Sequence, residues 1–187
     1  MHLRLSPYLA AHERYDGYRD EARAAVRERA FRWLLGAGRD VQDLRLTDID
    51  DAALAFWEWF WRPCHPGVHY DGDFPWDAIV DQIRTTPRRL ELAIWADGTL
   101  CGLCAGMASK NASHVAIRFL ERFHGDNPVR GFVMPIAVAY AEAYAIVLGR
   151  RELKIRNPTE GATPSYEELG FRLVTPRKCR HYLAREV

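Results

Sequence analysis

The chain has almost no excess of either charge: 26 Lys and Arg stand against 25 Asp and Glu over 187 residues, a formal net charge of +1. A surface so balanced exerts no bulk attraction on nucleic acid or an anionic membrane, and neither is expected as a partner. Long apolar runs are lacking as well. Asp97 or Glu142 interrupts the most apolar stretches, so none supplies the roughly 20 unbroken apolar residues of a membrane span. No leader pattern opens the chain, because Arg4, His12, Glu13, Arg14 and Asp16 break its first residues, and a cytoplasmic protein is expected. Cysteine is scarce: Cys64, Cys101, Cys104 and Cys179 are all there is. Cys101 and Cys104 form a CxxC in GTLCGLCAG, but no second CxxC completes a zinc or redox framework. The flanks read as a strand, in which a spacing of three sends two thiols to opposite faces, so both cysteines read as small buried apolar residues. The segment CHPGVHYDGD offers ligand residue types in Cys64, His65, His69, Asp71 and Asp73, yet its spacing fits no closed zinc pattern, and no metal is expected.

What is present is a globular composition, 48% apolar and 27% charged, without repeats, linkers or low-complexity segments. Its length suits one domain with a sizeable core. Ala22, Val26, Ala30 and Trp33/Leu34 recur at helical spacing within Tyr18 to Leu35, which predicts an amphipathic helix closed by Gly36 and Gly38. DLRLTDIDDAALAFWEWFW reads as a short strand, an Asp-rich helix start and a helix ending before Pro63. FPWDAIVDQIRTTP reads as another short helix. The Asp97-Gly98 pair between two apolar runs predicts a hairpin. HVAIRFLERF then alternates as a third strand, with Val115, Ile117, Phe119, Glu121 and Phe123 on one face. After an uncharged helical run that starts near Pro135, RELKIRN reads as a strand, ATPSYEELGF as a short helix and FRLVTPRKCRHYLA as a last hairpin. The fold class expected is α+β.

The order of these elements, with LRLTDIDDAAL, the Asp97-Gly98 hairpin, a long helix ending in Gly149 and LKIRNPTEGATPSYEELGFRLV, resembles the GCN5-related N-acetyltransferase superfamily. The resemblance runs from about Asp43 to the C-terminus. It implies a mostly antiparallel twisted sheet flanked by helices over 39–187, preceded by a helical extension over 1–38. It also implies acetyl-CoA or another acyl-CoA in the splay between two central strands. A small-molecule or protein amine would approach from the opposite side and attack directly in a ternary complex. A homodimer is compatible with such a domain. The alternative is a catalytically inactive binding or regulatory module on the same fold. A third possibility puts the function in the arginine-rich N-terminal helix.

By this resemblance Tyr166 stands where the acid that protonates the departing thiolate commonly sits, although its ring could equally pack under the short helix. Glu121, late in its strand, is a candidate base for the amine, with His124 close behind; a solvated strand end paired with Arg118 or Arg122 is the other reading. Asn157 resembles an asparagine that contacts the cofactor or fixes the next loop. The aromatic stretch FWEWFWRPCHPGVHY would border the acceptor, with Trp57, Trp61, His65, His69 and Tyr70 as lining, while part of this cluster must be core. In the cofactor loop, Arg130, Gly131, Phe132 and Val133 align with the backbone cradle for pyrophosphate at a helix N-terminus. Val133 and Pro135 stand where small residues usually follow, and proline has no N–H to donate. A loop of different shape built on Asn127, Pro128 and Gly131 is the other alignment.

Overall fold

The computed structural model describes residues 6–65, 73–176 and 180–187. Helix α1 (Pro7–Gly36) begins earlier than the apolar spacing suggests, because Ser6 accepts a hydrogen bond from the Leu9 N–H and Pro7 takes the first helical position. Seven strands follow: β1 (Leu44–Thr47), β2 (Arg89–Ala96), β3 (Thr99–Ala108), β4 (His114–Arg122), β5 (Glu152–Arg156), β6 (Arg172–Val174) and β7 (Tyr182–Glu186). Between them lie α2 (Asp51–Phe56), α3 (Trp76–Arg84), α4 (Val133–Val147) and α5 (Thr163–Glu168). Asp50 caps α2 by accepting from the Ala53 N–H, and α2 runs on through a wide π turn, Trp57–Trp61, into a 3-10 turn, Arg62–Cys64.

The strands form one sheet in the order β1-β2-β3-β4-β5-β7-β6. Every adjacent pair is antiparallel except β4 and β5, which α4 joins as a crossover. This is the α+β architecture expected. The β2-β3 turn places Asp97 and Gly98 at φ 48° and 79°, the left-handed pair that a two-residue hairpin needs. The Asp97 carboxylate also accepts from the Gln42 and Asp43 N–H groups at 2.9 and 2.8 Å, fastening the start of β1 beside the hairpin.

Both faces of the sheet centre are covered. On one face, Ala22, Val26, Ala30 and Leu34 of α1 and Ile136, Ala137, Tyr140 and Tyr144 of α4 pack on Leu90, Leu92 and Ile94. On the other, Trp57, Trp61, Trp76, Ile79 and Val80 pack on Ala93, Trp95, Leu100 and Leu103. No helix among the described residues is long and apolar enough to cross a membrane.

α1 is bound to the sheet by charge as well as apolar contact. Arg19, fully buried, donates to the carbonyls of Pro87 and Arg89 and pairs with Asp16, while Arg23 pairs with Asp20 and Asp48 at 2.6 Å. Glu91, also buried, pairs with Arg89, and burial still holds its carboxyl above the ordinary range.

Two irregularities change which residues face which layer. Ala105 opposes Phe119 and Gly106 opposes Ile117, so Arg118 is an extra residue on β4. The single face expected for Val115, Ile117, Phe119, Glu121 and Phe123 is therefore corrected. Val115 and Ile117 join the α1/α4 core, whereas Phe119 and Phe123 join the α2/α3 core. Likewise Ile94 opposes Gly102 and Trp95 opposes Leu100, leaving Cys101 as the extra residue on β3. The two thiols consequently share the α1/α4 core instead of lying on opposite faces. Burial raises the Cys101 and Cys104 thiols to about 11 and about 12, as unreactive buried cysteines require.

Candidate functional site

The parallel β4-β5 register ends at the Ile117–Ile155 pair. Directly after it comes the Arg118 bulge, which bends β4 and re-aims its backbone, and β5 stops at Arg156. The strands part there over a cavity of about 450 Å³ lined from both faces of the sheet: Val133, Met134 and Tyr166 on the α4 side, Phe74 and Glu121 on the α3 side.

The N-terminus of α4 forms one end of this cavity. The first N–H groups of a helix have no intrahelical acceptor, and Val133 and Met134 supply the first two here. Pro135 occupies the third position, where its fixed φ suits a helix start and its missing N–H breaks no intrahelical bond. Gly102 on β3 lets this end come close. A Cβ there would lie 2.5 Å from Cγ1 of Val133.

The preceding loop is organised by Asn127. Its Nδ2 donates to the carbonyls of Cys101 and Phe123 at 2.9 and 3.2 Å, and its Oδ1 accepts from the Val129 N–H at 3.1 Å. Gly131 takes φ 90° on the way into α4. Of the four residues expected to cradle pyrophosphate, Val133 lines the cavity; Phe132 is half-buried beside it, and Arg130 and Gly131 are exposed on the loop. The Arg130 carbonyl accepts from Arg39 at 3.1 Å.

Tyr166 lies in α5 and presents its edge to Phe171, ring centroids 5.8 Å apart, while lining the cavity. Burial holds its hydroxyl well above the ordinary tyrosine range, which keeps it protonated. Asn157, at φ 51°, turns the chain out of β5 along the same wall.

Glu121 enters from the opposite side, 5% exposed. Its Oε1 accepts from the Asp73 N–H at 3.1 Å, and its Oε2 from the Phe74 N–H at 3.4 Å and from Nε1 of Trp76 at 2.6 Å. A carboxylate offers about four lone-pair sites, so roughly one is left over. Burial raises this carboxyl and the three donors lower it, with a net upward shift.

Behind Glu121 is a recess of about 10 Å³ bordered by Trp57, Trp61, His65 and His124, close to the size that holds one water. Trp57 and Trp61 form its floor as members of the α2/α3 core; Nε1 of Trp61 donates to the Leu100 carbonyl at 2.9 Å and its ring stacks on Phe123. His65 and His124 face each other with ring centroids 6.4 Å apart. His69 and Tyr70 lie outside the described residues.

Sequence reasoning missed Phe74 and Arg156 and weighed Arg118 only as an ion-pair partner of Glu121; their meeting depends on the splay. Asn127 had a local signal, an Asn-Pro pair before a left-handed glycine, and belongs to the second alignment.

Several known structures share this fold. An aminoglycoside 6'-N-acetyltransferase from Enterococcus faecium superposes with a TM-score of 0.54 at 13% identity, over 76% of this chain and 96% of its own. Ard1 from Thermoplasma volcanium gives 0.52 at 15% identity, over 77% and 97%. The PaiA N-acetyltransferase from Thermoplasma acidophilum, in complex with coenzyme A, gives 0.51 at 13% identity, over 78% and 100%. No protein-family model matches the sequence, and no curated protein matches it. What is shared at these identities is the fold, that of the GCN5-related N-acetyltransferases.

Proposed function

We propose that the chain is an acyl-CoA-dependent N-acyltransferase, with acetyl-CoA as donor and a small-molecule or protein amine as acceptor. The observation that carries this reading is the bulge at Arg118. There the two parallel strands part over a cavity that joins the α4 N-terminus and Tyr166 on one face to Glu121 on the other.

Bound CoA would supply an activated thioester. The N–H groups of Val133 and Met134 would hold phosphate at the positive end of α4, with the Arg130–Phe132 loop beside it and Asn157 along the wall. Backbone freed from the ladder at the bulge is available to polarise a carbonyl. Glu121 would accept the amine proton, directly or through a water in the recess bordered by Trp57, Trp61 and His65. Its raised pKa makes it a stronger base than an exposed glutamate. Tyr166 would give its proton to the departing thiolate. The burial that raises Tyr166 would also disfavour a bare thiolate in the same cavity, which offsets part of that rise.

Pro135 and Val133 favour a second reading, a binding or regulatory module that has lost CoA, because they leave α4 with fewer donors and bulkier side chains at its start. Titration with acetyl-CoA, read as a shift in melting temperature, separates the two. Acyltransferase function requires a measurable rise; no rise with acetyl-CoA or longer acyl-CoA near a millimolar would leave the second reading.

A further inference from the structure

The acceptor side of the splay is cationic, and nothing in the proposed transfer of an acyl group requires that. Ile117 and Ile155, the last paired residues of β4 and β5, both point into the α1/α4 core. Arg156 therefore points to the opposite face, by the alternation of side chains along a strand, and Arg118, the bulged residue to which that alternation does not apply, follows Ile117 at the same level on the neighbouring strand. Both are exposed and both line the cavity, together with Arg122. They are close enough for Arg156 to depress the pKa of Arg118, beyond what burial does.

Neither arginine forms an ion pair among the described residues. Among the described residues the acid on the cavity wall is Glu121, which accepts from Asp73, Phe74 and Trp76 and pairs with neither arginine. α2 and α3 cover this face of the sheet over β2 and β3, and none of the α2/α3 core comes from β5, β6 or β7. The arginine pair therefore sits at an open approach. Two adjacent guanidinium groups without a counter-ion repel each other and together offer forked donors matched to a carboxylate or phosphate.

We propose that the acceptor is an amine carrying an anionic group, a carboxylate or a phosphate, which Arg118 and Arg156 hold on the α3 side of the splay. This rests on the acyltransferase reading for the reaction, but the anion site itself does not. A cationic polyamine or aminoglycoside would meet the same charge and be repelled.

The test uses the full chain with acetyl-CoA and matched acceptors: L-amino acids against their carboxamides, and O-phosphoethanolamine against ethanolamine. Loss of the anion should lower kcat/KM by roughly 10- to 100-fold, the worth of a charge-assisted pair. Arg118→Gln and Arg156→Gln, surface changes that should leave the melting temperature near that of the parent, should erase this discrimination. The affinity for CoA should persist. Equal use of charged and uncharged acceptors would overturn the proposal while leaving acyl transfer standing. Weakened CoA binding with unchanged acceptor selectivity would also overturn it, by assigning the arginines to the cofactor. If no acceptor turns over, thermal shift with the amino acids and O-phosphoethanolamine decides. Stabilisation that the double variant abolishes keeps the anion site and removes the transferase reading, and no stabilisation removes both.

Discussion

Glu121→Gln separates a catalytic carboxylate from a structural one. Glutamine is nearly isosteric, and with its oxygen at the Oε2 position it keeps the bonds from Trp76 and Phe74. Its NH2 then faces the Asp73 N–H, so one hydrogen bond to a charged acceptor is lost. Asp73 is exposed and water can take over its amide, while the cost of burying a charge disappears. The expected loss of stability is about 1 kcal/mol, or a melting temperature lower by about 2–4 °C for a chain of this size. Removal of a general base should instead slow acyl transfer by about 10²–10⁴-fold, read as release of CoA thiol, without weakening acetyl-CoA binding. The pH dependence of stability gives an independent check. The folded-state pKa of Glu121 lies above its unfolded value, so its stabilising contribution is full below the ordinary glutamate pKa and is lost as pH rises through the raised value. Urea melts across that window should show the decline in the parent and not in Glu121→Gln. A variant that turns over like the parent would refute the base assignment, and one with the same pH profile would refute the burial account.

Tyr166→Phe should lower turnover by at least about tenfold and spare CoA affinity, and unchanged turnover would take the acid role from Tyr166. Gly102→Ala should cost about 1–3 kcal/mol in chemical denaturation, because the stiff Val133 side chain must move. Val133→Ala in the same chain should recover part of that loss, and additivity of the two would count against the clash. Arg89→Met should cost about 3–5 kcal/mol by leaving the buried Glu91 short of its partner, whereas Arg89→Met with Glu91→Leu should recover much of it. Equal stability of the single and double variants would show that the pair is not coupled.

The elements and their order were legible in the sequence because caps, a hairpin pair and apolar spacing are local signals. Ser6-Pro7 was the one cap not used, and α1 accordingly starts earlier than its apolar stripe. The faces of β3 and β4 were not legible. A bulge is set by how two strands register, and nothing within HVAIRFLERF or GTLCGLCAG marks Arg118 or Cys101 as the extra residue. One inserted position moves every later side chain to the other layer, which is why Phe119 and Leu120 exchange the roles that alternation assigns them. Tyr166, Asn157, Glu121 and Val133, singled out by motif and position, all line the cavity. Arg118 and Arg156 lie far apart in the chain, and only the parallel pairing of their strands makes them neighbours. The aromatic stretch was not legible residue by residue: its spacing pointed to core among Phe56, Trp59 and Phe60, whereas Trp59 and Phe60 are exposed and Trp57 and Trp61 are the buried pair, which only the fold shows to be the floor of a recess.

The pairing of α1 with α4 also sets an order of events during synthesis. The stripe Ala22, Val26, Ala30 and Leu34 is made at the start, and the residues of α4 that cover it begin only at Val133. At about 5–20 residues per second, the stripe spends roughly 5–20 s without its helical partner. The charges that later bind α1 to the sheet, Asp16, Arg19, Asp20 and Arg23, then have a separate use. They flank the N-terminal end of the stripe with hydrated groups, so charge borders its exposed first turn until α4 arrives.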